Sequence, residues 1–204
     1  MLQYQSVYNL LINLCYNINM STLNIILIVL GVIVLWVICV YNKLVTFINQ
    51  AKEAWADIEV QLKRRYDLIP NLINTVKGYA SHESGAFEKV TAARSAAMQA
   101  KTMGDHAKSE AVLGQALTGI FGIAEAYPDL KANQNFLALQ NELSDTENKI
   151  QSARRFYNGN VKDLNIYTEQ FPSNVIANLF KFSKMELFDL ADNDLAQKPV
   201  EVKF

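Results

Sequence analysis

No Lys, Arg, Asp or Glu occurs before Lys43, and only two cysteines occur at all, Cys15 and Cys39, both upstream of that point. The chain beyond Lys43 therefore has no thiol with which to build a disulfide framework or a cysteine zinc site. Histidine is equally scarce. Neither His82 nor His106 has a Glu three residues before it, so the Glu-x-x-His signature of a di-iron bundle is missing. The eight glycines and four prolines form no Gly-x-x-x-x-Gly-Lys, Gly-x-Gly-x-x-Gly or Gly-x-Ser-x-Gly pattern, which removes the common phosphate-loop and nucleophile-elbow readings. Asn158-Gly159 sits within a helical pattern, and no turn pair stands between alternating apolar runs, so hairpins are not expected. A formal net charge of −1 supplies no bulk field toward nucleic acid, and no nucleic-acid partner is expected.

An unbroken apolar run is present instead. Leu23 to Tyr41 reads LNIILIVLGVIVLWVICVY, without a charge. At 1.5 Å per residue it spans roughly 28 Å, close to the hydrocarbon thickness of a bilayer. A buried core helix rarely runs so long without a polar face. A cleaved signal peptide would need a basic n-region and small residues at the cleavage site, and neither is present. The expected reading is an uncleaved transmembrane helix over 23–41, with Trp36 and Tyr41 toward its far interface. Residues 1–22 form an uncharged leader, with Met20 as an alternative start. Lys43, Lys52, Lys63, Arg64 and Arg65 follow the span and none precedes it, so the N-terminus is expected outside and the soluble domain in the cytoplasm.

Beyond the span the periodicity is helical. Leu44, Ile48, Ala51, Trp55, Ile58, Leu62 and Ile69 follow a heptad seam in which Arg65 takes the skipped position. Pro70 is expected to kink or restart this helix, and Ser81-His82-Glu83 to bound it. A second helix is expected over about 84–102, broken at Gly104-Asp105-His106, and a third capped by Ser109. Gly114, Gly119 and Gly122 are expected to permit close packing. Phe136 to Phe171 holds five heptads in register, predicting a helix of roughly 50 Å or more that Pro172 ends. Phe180, Phe182, Leu187 and Phe188 are expected to pack back in short helical turns. The fold class is thus all-α: a single N-terminal transmembrane helix followed by an elongated antiparallel long-helix bundle over 42–190, with 191–204 a loosely ordered tail.

Candidate chemistry is sparse. Asp57, Glu59, Asp67, Glu125, Asp129, Glu142 and Glu147 could pair across helices, though most carboxylates on such helices are solvated or ion-paired. Glu147 and Arg154, with Arg64 and Arg65, suggest an Arg–Glu ladder that fixes helix register. The Lys63-Arg64-Arg65 patch lies some 30 Å along the helix from the bilayer. No catalytic, cofactor-binding or metal-binding residue is assigned. Convergence of His82, Glu83, Glu125 and Asp129 in one concave pocket would favour an enzyme; their dispersal would favour an interaction module.

Several motifs together carry a family resemblance: Tyr41-Asn42-x-Leu44-Val45, Glu53-Ala54-Trp55-x-Asp57-Ile58, Val60-Gln61-Leu62-Lys63-Arg64-Arg65, Asp67-Leu68-Ile69-Pro70-Asn71-Leu72 and Glu125-Ala126-Tyr127-Pro128-Asp129-Leu130. Ala153-Arg154-Arg155, Tyr157-Asn158, Asn165 and Phe171-Pro172 continue them. The chain resembles the LemA family over about 41–190. The resemblance implies a bacterial membrane protein with one N-terminal span and a helical antiparallel bundle, without an established activity or cofactor. Some members look like lipoproteins with an acceptor Cys near the Tyr-Asn motif. Cys39 stands there, but Ile38 is bulky where such sites want a small residue. The expected function is a membrane-anchored scaffold or interaction module without catalytic activity. Its partners are the lipid bilayer through 23–41 and unidentified proteins, with self-association through open seams as the alternative.

Overall fold

The computed structural model describes residues 2–188. Its elements are α1 (Leu2–Lys77), α2 (Ser84–Gln99), α3 (Met103–Ala126), α4 (Pro128–Lys131), α5 (Gln134–Glu169) and α6 (Ser173–Leu179), and there is no strand among the described residues. Two compact units divide these residues, 2–46 with 167–183 and 47–166 with 184–188.

The larger unit is an antiparallel four-helix bundle whose directions follow from individual contacts. Trp55 meets Tyr157, Arg64 meets Glu142 and Tyr79 meets Asn133, so positions on α5 fall as those on α1 rise. Arg94 and Phe87 of α2 face Tyr66 and Lys77 of α1 in the same opposed sense. Along α3, His106 and Glu110 meet Trp55 and Arg65, so α3 runs parallel to α1. The core contains Ile58, Leu62, Ile69 and Val76 of α1, Val90 of α2, Leu113 and Ile120 of α3, and Tyr157 and Val161 of α5. Seam spacing of three and four residues accounts for these positions.

Pro70 neither ends nor restarts α1, which continues to Lys77. Proline removes the N–H that would bond the carbonyl four residues back, that of Tyr66. Arg94 Nε of α2 donates to that carbonyl oxygen at 2.7 Å, so a side chain from the neighbouring helix satisfies it. Ser109 does not cap α3. Thr102 does, accepting from Asp105 N at 3.1 Å, while Gly104, Asp105 and His106 lie inside the helix rather than breaking the preceding one. α2 ends at Gln99, short of the expected 102. Gly119 and Gly122 have open space where a Cβ would stand, so close packing does not require them; Gly114 alone of the three approaches a neighbour, with Arg65 Nη2 3.7 Å from its Cβ position. α5 matches the heptad expectation to within two residues at each end, at about 54 Å for 36 residues.

After α6, residues 182–188 form no helix. In the larger unit, Asn165 Nδ2 donates to Met185 O and Asn165 Oδ1 accepts from Met185 N, both at 3.0 Å. Asn158 repeats the pairing with Phe188 at 3.1 and 2.8 Å. One heptad on a helix rises about 10.5 Å and three extended residues span about 10 Å, so the two amides match the strand repeat. The Tyr157 hydroxyl adds a bond to Glu186 O at 2.9 Å. The expected tail 191–204 lies outside the described residues.

In the smaller unit, α1 carries the apolar run. Leu23 through Leu35 include exposed Ile, Leu and Val along the helix, with only 6% of the most apolar window buried, as a lipid-facing span requires. The buried residues of this unit include Val40 and Leu44 of α1 and Ile176 and Ala177 of α6. The Tyr41 ring meets Phe180 and Phe182 edge-on, at 4.9 and 5.5 Å between centroids.

Candidate functional site

The polar centre of the bundle forms around Glu110, a carboxylate on the apolar stripe of α3 between Ala107 and Leu113. Its side chain is 4% exposed and bonded from two sides of α1. The Tyr66 hydroxyl donates to Oε1, and Arg65 Nη1 donates to Oε2 at 3.2 Å. The same Arg65 nitrogen reaches Glu147 Oε2 on α5 at 3.0 Å. One buried guanidinium thus joins three helices. Arg64, half-exposed beside it, pairs with Glu142 at 2.9 Å and lies 3.8 Å from Asp145.

Burial pushes the Glu110 carboxyl above its ordinary range; Tyr66, Arg65 and His106 pull it down, and the Glu147 carboxylate adds to the rise. Burial and the neighbouring Glu110 carboxylate also raise the Tyr66 hydroxyl, which therefore stays a proton donor throughout the physiological range.

Arg–Glu pairs between helices exist, with membership different from that of the expected ladder. Arg64, Arg65, Glu142 and Glu147 take part in them; Arg154 forms no ion pair among the described residues. Glu110 and Tyr66 are the members missed from sequence, although a Glu at a stripe position of α3 was a readable signal. His82 is exposed, without a cap bond among the described residues, and Glu83 at the N-cap position of α2 makes no side-chain cap bond. His106 is half-buried against the Trp55 ring, at 5.4 Å between centroids.

Beside this network a cleft of about 500 Å³ opens between α3 and α5. Leu117, Phe121, Leu143 and Ile150 supply apolar wall; Gln140, Asn148, Gln151 and Arg154 supply polar groups. Phe188, where the amide-bound extended segment arrives, lines the cleft, and Gln151 stands one heptad before Asn158. None of His82, Glu83, Glu125 and Asp129 lines this cleft or the two other pockets described on the bundle. Among the described residues no three His, Cys, Asp or Glu side chains stand close enough to share a metal ion.

Similarity to known proteins agrees with this architecture. Magnetosome protein MamQ of Magnetospirillum gryphiswaldense is 24% identical over 174 residues, covering 72% of this chain and 64% of its own length. MamQ 1 of Paramagnetospirillum magneticum matches to the same extent, and Protein LemA of Metamycoplasma hominis is 27% identical over 154 residues, covering 74% of this chain and 67% of its own. The chain spans a little under two thirds of the MamQ proteins, and none of these relatives is named for an enzymatic activity. The model of the LemA family matches residues 54–204, beginning just before Trp55 and taking in the Arg65–Glu110–Glu147 network and the cleft; the chain belongs to the LemA family.

Proposed function

We propose that this protein is a membrane-anchored interaction module that holds an extended polypeptide segment of a partner against α5, in the cleft between α3 and α5. The observation that carries this reading is the heptad-spaced amide pairing. Asn165 and Asn158 already bind an extended backbone through both of its hydrogen-bonding groups, and the same face continues into the cleft with Gln151. The apolar walls suit alternate side chains of such a segment. Arg154, a cleft cation with no ion-pair partner among the described residues, suits an acidic residue or a chain-terminal carboxylate. The bonds that consume Arg64, Arg65, Glu110 and Glu147 support a scaffold rather than a reaction centre, because those groups are committed to holding helices together.

The reading sets this activity at the bacterial inner membrane with the bundle in the cytoplasm, a side that the lysines following the span favour. Relatives named as magnetosome proteins support a membrane-associated role. Self-association of copies through the cleft is the alternative.

Site-specific photo-cross-linking in cells tests the reading. A benzophenone side chain at Gln151 or Gln140 is expected to give a discrete adduct with another protein. Arg154→Glu is expected to weaken it, and the same probe at exposed Val60 is expected to give none. Adducts confined to the chain itself or to its copies would favour self-association, and equal adducts from Val60 would remove the cleft from the proposal.

A further inference from the structure

A second surface lies in the smaller unit, on the segment that follows α5. Phe171 lies just before α6, and Val175 and Leu179, four residues apart, stand on one side of that helix. They are 78%, 55% and 70% exposed, while Ile176 and Ala177 are buried. A seven-residue helix in water does not ordinarily present large apolar side chains on one face while its other face is already occupied by core.

The position of this face along α1 identifies what covers it. Tyr41 closes the apolar span, and its ring packs against Phe180 and Phe182 at the end of α6. A turn sets those two rings there. Lys181 adopts a left-handed φ of 59°, and Phe182 N donates to Ala177 O at 2.9 Å, closing the helix with a bond across six residues. α6 is only about 10 Å long and Phe180 at its end touches the Tyr41 ring, so the helix reaches no more than about 15 Å from Tyr41. The headgroup region on each side of a bilayer is about 5–8 Å thick beyond the hydrocarbon, and a tyrosine at the end of a span sits within it.

We propose that Phe171, Val175 and Leu179 insert into the membrane surface beside the transmembrane helix, making α6 a second, interfacial contact between this chain and the lipid. The occupant is the bilayer because the helix that carries the patch ends, through Phe180 and Phe182, on Tyr41, where the lipid-facing span closes. Such a contact restrains the tilt and rotation of α1 where it leaves the membrane, which a single span cannot do alone.

The test uses the full chain with Cys15→Ser and Cys39→Ser, carrying one new cysteine labelled with an environment-sensitive nitrobenzoxadiazole dye. Phe171→Cys, Val175→Cys and Leu179→Cys are compared with Val112→Cys on α3, in nanodiscs of phosphatidylcholine and phosphatidylglycerol. A nitroxide at carbon 5 of the lipid chain is expected to quench the three α6 labels at least about twofold more than the Val112 label, as insertion at the headgroup–acyl boundary requires. Aqueous iodide is expected to do the reverse. Labels on α6 quenched by iodide as strongly as that at Val112 would show the face in water and overturn the proposal. A blue-shifted dye that neither quencher reaches would show a protein covering the face and overturn it equally. Phe171 and Val175 lie outside the Tyr41 ring contacts, so they carry the test if Leu179→Cys disturbs the turn.

Discussion

At Glu110 two donors, Tyr66 and Arg65, and a second carboxylate compete over one buried group. Its folded-state pKa is raised, chiefly by burial. A carboxyl raised in this way takes up a proton on folding between its unfolded pKa near 4.5 and its higher folded value. Its contribution is therefore fully present below about 4.5 and is lost as pH rises through the folded pKa. Glu110→Gln keeps an acceptor for the Tyr66 hydroxyl and removes the titration. The melting temperature of the wild type relative to that of Glu110→Gln should accordingly fall as pH is raised from 4.5 toward neutrality. A difference independent of pH over that interval would mean that Glu110 does not change protonation on folding. Pro70 offers a second residue-scale test. Arg94→Met leaves the Tyr66 carbonyl without a donor and should cost about 1–3 kcal/mol. With Pro70→Ala the helix regains its own N–H for that carbonyl, so the Arg94→Met penalty should shrink by about 1 kcal/mol or more in a denaturation cycle. Equal penalties in both backgrounds would show that Arg94 acts elsewhere.

Among elements, the most legible helix is the one with the longest uninterrupted seam, α5. The heptads of α5 placed its ends to within two residues because a long uninterrupted seam has few competing solutions. The boundary between α2 and α3 was misplaced because Gly104 and Ser109 look like punctuation, whereas Thr102 offers an oxygen to an N–H three residues on. The polar centre was half legible. Arg65 stood visibly in a seam, but nothing in one sequence says that its partner is Glu110, 45 residues away. Asn158 and Asn165 stand one heptad apart, but the segment they bind, 185–188, does not announce itself by periodicity. α3 yields a prediction of its own. Gly119 and Gly122 face open space in the helix interior, so Gly119→Ala and Gly122→Ala should each stabilise by about 0.5–1 kcal/mol. The α1–α5 tie should divide unequally between the paired arginines. Arg64→Met should cost at most about 1 kcal/mol because its ion pairs are solvent-screened. Arg65→Met strips two carboxylates of a buried partner and should cost about 3 kcal/mol. Comparable losses in urea denaturation would contradict the distinction.

For the whole molecule, the decisive question is which side of the membrane holds the bundle, and the charge around the span sets the expectation. The chain upstream of the apolar run has no basic side chain, while Lys43 and Lys52 follow it closely. Arg64 and Arg65 add less than the sequence alone suggests, since both are committed to carboxylates on α3 and α5 once the bundle has folded. Orientation is set as the span inserts, so the two lysines nearest to it dominate the expected bias toward keeping the following segment in the cytoplasm. Lys89, exposed on α2, reports the outcome. In a chain with Cys15→Ser and Cys39→Ser, Lys89→Cys should resist a membrane-impermeant maleimide in intact spheroplasts and react after lysis. Lys43→Glu with Lys52→Glu removes the bias, and a substantial fraction of Lys89→Cys should then label before lysis. Full labelling of Lys89→Cys in intact spheroplasts with the native lysines present would place the bundle outside the cytoplasm. The partner segment sought for the α3–α5 cleft would then have to be an extracytoplasmic one.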